Sequence, residues 1–527
     1  MTSVGPAVRV VALVLLAVGR AAAQEHMHPQ DASPERLGTV HLQTSCSPTV
    51  APAYDRGVAL LHSFEFGASI RAFTGVLALD STCAMANWGI ALSRWGNPMA
   101  AGVRSPAQLQ PGRVASELAV RASAGATERE REYVTAVAQL YADYEHVDQR
   151  TRVVAYERAM ANLVARQPSD TEAKIFHALA LTASAPPTDK TYANQLEAGA
   201  ILEPIWAKQP NHPGLAHYII HTYDAPALAG RARAAAQRYA EIAPSAAHAL
   251  HMPSHTFTRL GLWKESVETN LRSIEAARRD DAIGEALHAS DYAEYAYLQM
   301  RRIPAAKAVL DGLPALAARF DINAVTGAAP GAAGVFALAS IPARFALERR
   351  DWAHAATLVP TASAFPWTEA MVHFARSLGA SHTGDLVTSR ASIDSLTVIQ
   401  QRLQARGESY WSEQVAIQAL GAQAWLEHAE HRDDAALARM RQTAEREDAT
   451  EKSAVTPGPL APARELLGDL LMELRHPGEA LVEYRAVLRT EANRYHSVDG
   501  ARRAAIASGD RTAASSYSAQ LRRITGA

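Results

Sequence analysis

Cysteine is nearly absent: Cys46 and Cys83 are the only two in 527 residues. Two thiols allow one bridge at most, and no CxxC pair or basic neighbour marks a thiol lowered into the reactive range. Charge of one sign is lacking too, since 52 Lys and Arg stand against 54 Asp and Glu. That balance gives no basic stripe for nucleic acid or for a membrane surface. Glycine and proline are dispersed, so no long linker is evident. No glycine-rich phosphate loop, dinucleotide fingerprint or activated nucleophile appears. The H-x3-H at His217 and His221 encloses Tyr-Ile-Ile, where a zincin needs glutamate. Glu-x-x-His pairs are too few for a bundle-type di-iron site.

Long hydrophobic runs are missing as well. Val10 to Val18 is the main apolar stretch, nine residues where a bilayer-spanning helix needs about 20. With Arg9 before it and Ala21-Ala22-Ala23 after it, this reads as a signal peptide over 1–23, cleaved after Ala23. The expected product is periplasmic or secreted, with no membrane insertion. Export into an oxidising compartment makes a Cys46–Cys83 disulfide the expected state, two buried thiols being the alternative. Residues 24–45 are polar and read as a flexible lead-in.

What is present is helical periodicity. From Tyr54 onward apolar residues recur at helical spacing, in segments separated by short polar breaks, with no period-2 stretch. Pro168, Pro210 and Pro244 mark breaks at close to the 34-residue tetratricopeptide (TPR) period. Gly468, Ala480 and Tyr484 supply the small and aromatic residues through which two such helices pack, as do Phe73 and its neighbours. The predicted fold is all-α, a right-handed α-solenoid of TPR-like hairpins. Residues 311–335 are the loosest stretch and divide it into 46–310 and 331–527.

Histidine is concentrated in one stretch. His217 pairs with His221, His248 with His251 and His251 with His255, each at a spacing that shares a helix face, and His288 follows. Helices packed 8–10 Å apart bring such rings to one ion. Imidazole suits zinc, copper and iron. The candidate ligands are therefore His217, His221, His248, His251, His255 and His288, for a divalent transition metal with zinc foremost. Pro253 sits between two of them and should kink the helix. Single histidines such as His177 read as core residues. Tyr218, Tyr223 and Tyr292 read as packing, and Lys190 is an outlying candidate for a substrate contact.

The chain resembles exported bacterial TPR proteins carrying H-x3-H followed by H-x2-H-M-P-x-H-x-F-x-R-x-G-x-W. Here these are His217 and His221, then His248, His251, Met252, Pro253, His255, Phe257, Arg259, Gly261 and Trp263. The resemblance covers most of residues 40–310 and implies a fold and an export route but no activity. In the TPR register, positions 2, 5, 9, 12 and 13 of each first helix line a concave groove. The histidines fall on those positions, with Asp224, Asp291, Tyr295 and His62 on others. Asp224, Asp291 and Glu65 are candidate carboxylate partners of the site, and Arg259 a candidate anion contact. The function expected first is an exported binding protein with a histidine-lined, metal-bearing groove that holds a protein or peptide. The alternative is a metal-dependent hydrolase or oxidoreductase on the same histidines. Metal occupancy should fall as pH drops through the histidine range near 6.5.

Overall fold

Backbone donors and acceptors that find no ladder must close on themselves, and here they do so in helices. The computed structural model describes residues 1–2, 35–100, 102–186 and 188–526, and among these no strand occurs. The segment 1–23, read from the sequence as a signal peptide, falls almost wholly outside the described residues. No helix of the described residues is long and apolar enough to cross a membrane.

The chain is a stack of antiparallel TPR-type hairpins, such as Ala51–His62 with Phe66–Leu79 and Trp263–Arg279 with Ile283–Gln299. Small residues set the approach distances. Gly57 and Gly89 clasp Phe73, and an added Cβ would lie 2.8 and 2.3 Å from its ring. Gly468 does the same against Tyr484, as its sequence position predicts. The first hairpin lies within the loop closed by the Cys46–Cys83 disulfide. A loop of this length is worth roughly 3–4 kcal/mol through the unfolded chain.

Two features differ from the sequence reading. Residues 36–43, expected to be part of a flexible lead-in, lie against the N-terminal repeats, with buried and exposed side chains alternating over 39–43. Thr39 donates to the Asn211 carbonyl at 3.0 Å, and Leu37, Val40 and Leu42 are buried. Val40 and Leu42 share one face of an extended chain, which is what lets so short a segment bury them.

The segment 311–335 is likewise no boundary, because Arg36–Ala527 forms one compact unit. Between the helices Ile303–Ala317 and Gly331–Leu347 the chain dips onto the N-terminal repeats. There Gly67 donates to the Thr326 carbonyl at 2.7 Å, and Glu285 accepts the Ala329 N–H. The C-terminal repeats then return against the same repeats. Trp263 donates its indole N–H to the Asn493 carbonyl at 3.0 Å, and Arg494 reaches the Tyr295 hydroxyl at 3.1 Å. Gly261, with φ near +64°, touches Ala492 so closely that any Cβ would lie 2.3 Å from its carbonyl oxygen. The terminal Gly and Trp of the histidine motif are thus a docking point.

Candidate metal centre

Three short helices and one long one carry the six histidines. Pro213–Thr222 bears His217 and His221, Ala247–His251 bears His248 and His251, Pro253–Arg259 bears His255, and Ile283–Gln299 bears His288. Pro253 ends one helix and starts the next, so the expected kink is present. It leaves His251 and His255 with their Nε2 atoms 3.1 Å apart.

The six rings gather as two adjoining triads, His217–His221–His248 and His251–His255–His288. Within each, one ring nitrogen per residue lies within 4.8 Å of the others. His248 bridges the two, its ring centroid 5.0 Å from that of His217 and 5.9 Å from that of His251. Phe64 wedges against the first triad, 4.4 Å from His217. Its backbone is held at φ +55°, costly for a bulky residue and typical of functional sites.

Hydrogen bonds fix which nitrogen each ring presents. His251 Nδ1 lies 2.7 Å from Asn270 Oδ1, and the Asn270 amide nitrogen donates to the Ser266 carbonyl at 2.7 Å, so Oδ1 must be the acceptor. His255 Nδ1 donates to Asp224 Oδ2 at 2.9 Å. His217 Nδ1 donates to the His62 carbonyl at 2.6 Å. In each neutral ring the proton sits on Nδ1, and Nε2 is left as a lone pair. Among the described residues, His217 Nε2, His221 Nε2, His248 Nε2 and His288 Nδ1 are buried without a hydrogen-bond partner, while His248 Nδ1 faces Glu285 Oε2 at 3.5 Å. Such groups call for an explanation in a buried site. Protonation is a poor one. Burial, reinforced by neighbouring histidines, holds His217, His221 and His251 well below the ordinary imidazole range. Burial outweighs Asp224 at His255 and takes His288 down to about 3. The sequence expectation of release near pH 6.5 therefore moves to lower pH.

Asp224 is the hub on one side. Despite a burial that would raise it, Lys452, Arg259 and His255 hold its carboxyl well below the usual range. Arg259 donates to Asp224 Oδ1 at 2.8 Å and to the Asp224 carbonyl at 3.0 Å, orienting the carboxylate instead of offering an anion site of its own. On the other side Glu65 accepts the His248 backbone N–H at 3.1 Å, and burial, then Glu285, raises its carboxyl to about 8.

Other predicted residues lie elsewhere. Asp291 accepts from Ser340 at 2.7 Å and pairs with Arg344, so it serves the helix packing and not the rings. Tyr295 packs on Trp263 and meets Arg494. His62 joins the site through its carbonyl alone. Its ring belongs to a third cluster, in which Glu172 accepts from His62 Nε2 at 2.9 Å and from His212 Nε2 at 2.8 Å.

The sequence reading passed over Asn270, Glu172, His212 and Lys452. Tyr292, read as packing, has its hydroxyl 3.4 Å from His255 Nδ1 and 3.1 Å from the carbonyls of Ala454 and Thr456. Asn270 had a readable signal, being an amide one helical turn beyond Ser266 on the face that packs beneath the histidines.

The expected open groove is closed at this point. The six histidines are at most 6% exposed, covered by residues 328–333 and by Trp367, Trp411, Ala454 and Val455. Against His221, His248, His255 and His288 remains a cavity of about 30 Å³.

No protein-family model and no curated protein matches the chain. Among solved structures it is similar to the crystal structure of the APC/C hetero-tetramer Cut9-Hcn1. That match covers 86% of this chain and 76% of the other, at 12% identity and TM-score 0.35. It is also similar to the crystal structure of the yeast Tom70 over 88% and 96% of the two chains, at 10% identity and TM-score 0.35. Likeness at this level says nothing of ligands or partners.

Proposed function

We propose that this chain is an exported metalloenzyme whose two histidine triads hold divalent transition-metal ions, zinc foremost and copper or iron as alternatives. One observation carries the reading: His251 Nε2 and His255 Nε2 face each other at 3.1 Å while both Nδ1 protons are committed to Asn270 and Asp224. Two lone pairs at that distance repel unless a cation lies between them. Ligands held at about 2.0–2.1 Å on one ion stand about 3.0–3.4 Å apart, so the spacing fits. The clamps on Nδ1 are the kind of outer partner that fixes a ligating imidazole.

The cavity against four of the rings supports catalysis over a purely structural role, because a catalytic site keeps one position open. A metal there would polarise a bound substrate or activate water. The chain's own part is to orient the rings through Asn270, Asp224 and the His62 carbonyl, and to exclude bulk solvent. Hydrolase and oxidoreductase chemistry both remain compatible with an all-imidazole set. A second reading, a binding protein for a protein or peptide, draws on the repeat architecture; such a partner would bind away from the buried rings.

The test is elemental analysis of untagged mature protein beside a His217→Ala/His251→Ala variant. Near-stoichiometric metal in the parent, lost in a variant that keeps its helical circular dichroism, is the expected result. A parent that takes up no metal on reconstitution would overturn the proposal.

A further inference from the structure

Beside the histidines lies a second, larger space of about 540 Å³, within the range of small-molecule sites. Its walls include Phe336, Trp367, Phe374, Tyr410 and Trp411. Trp367 and Trp411 stack at 4.2 Å, and both also line the small cavity against the histidines. The two spaces therefore share an indole wall.

Lys452 and Arg259 line the larger cavity at the end nearest Asp224. The Lys452 side chain is 7% exposed, and its one hydrogen-bond partner among the described residues is Asp224 Oδ2, at 3.5 Å. That carboxylate is already taken by His255 and Arg259. An ammonium has three donors, and a buried one with a single long contact is costly unless something else meets it. The nearby carboxylates do not. Glu451 is held by Lys190 at 2.8 Å and by the Tyr192 hydroxyl at 2.7 Å. Glu447 accepts from the Ala463 N–H at 2.7 Å. Glu491 lies 3.5 Å from the Tyr295 hydroxyl.

We propose that this cavity binds a small organic carboxylate with an aromatic body, its anionic group on Lys452 and its ring against Trp367 and Trp411. As the substrate class of the metal centre this rests on the reading above; as a binding site it stands without it. The indole wall shared by the two cavities puts the ring of such a molecule beside the histidine site.

Titration calorimetry and tryptophan fluorescence with phenylacetate, phenethyl alcohol and phenethylamine test it, on metal-free and on zinc-loaded protein. Phenylacetate is expected to bind metal-free protein about tenfold or more tighter than the alcohol, the worth of a charge-assisted hydrogen bond, and the amine more weakly still. Lys452→Met should lose about the same factor and Lys452→Arg should keep most of it. Equal binding of acid and alcohol would overturn the proposal. So would phenylacetate binding that appears only with zinc and ignores Lys452→Met in protein of unchanged helical content, since the anion would then sit on the metal. Lys452-dependent binding by protein that takes up no metal would overturn the metal reading and leave the anion site standing.

Discussion

Two sets of buried histidines lie side by side in this protein, and they are built to opposite rules. In the His62–Glu172–His212 cluster a carboxylate accepts from both Nε2 atoms, and the Tyr218 hydroxyl reaches His62 Nδ1 at 3.0 Å. Donors meet acceptors there at every ring nitrogen but His212 Nδ1, although the three residues also lie close enough together to hold an ion. In the two triads the donors of His251, His255 and His217 have been turned outward, onto Asn270, Asp224 and a carbonyl, and at His251 and His255 acceptors meet one another. Residue type and burial are the same in both. The direction of the hydrogen bonds separates a structural network from a candidate metal centre.

The largest test of that contrast is a pair of single variants. His251→Ala should cut metal affinity by about 100-fold or more, whereas His212→Ala should leave metal content unchanged and destabilise the fold by about 1–3 kcal/mol. Elemental analysis together with urea unfolding reads both; metal lost equally from the two would erase the distinction. Next in size is the orienting amide. Asn270→Leu frees the His251 ring, and a competitive chelator titration should show metal affinity reduced by about 10–100-fold.

Acid separates the regions further. In metal-free protein His217, His221, His251, His255 and His288 are depressed while the unfolded chain protonates near 6.5, so the unfolded state binds more protons below that value. Stability should be full above about pH 6.5 and fall toward the folded values, by about 1.4 kcal/mol per pH unit for each histidine that titrates. Glu172 behaves otherwise. Against its burial, His62 and His212 hold it below the carboxylate range, so its contribution is present above about pH 4.5 and lost only below. Unfolding midpoints from pH 8 to pH 4 should show two windows, the upper one shared with His62, which burial also depresses, and zinc should suppress only the triads' part of it. The smallest effect belongs to Tyr218→Phe, which removes one hydrogen bond from the His62–Glu172–His212 cluster. It should cost about 0.5–1.5 kcal/mol in thermal unfolding and leave metal content untouched.

Much of this was legible in the sequence, and for identifiable reasons. Helical spacing put His217 with His221 and His251 with His255, and the TPR register placed them all on one inner face. Pro253 announced its own break, and Gly468 and Tyr484 their contact. The closure of that face was not legible. It depends on Ala454 and Val455, some 160 or more residues beyond His288, in a polar segment with no periodicity to read. Asp291 shows the limit from the other side, since its register position was sound but Arg344 claims it. Lys452 lies in the same unreadable segment, and only the fold brings it to Asp224.

The covering of the histidines by residues 328–333 and 454–455 has a consequence in time. A ligand set open to solvent exchanges its ion at a rate set by coordination bonds. Here the rings are walled in, so an ion held by them would enter or leave only when that covering opens. Residence time is then governed by a local unfolding rate, and strong chelators should strip the protein slowly, at a pace nearly independent of their concentration. The compartment in which the chain folds would select its metal, and the fold would keep the choice.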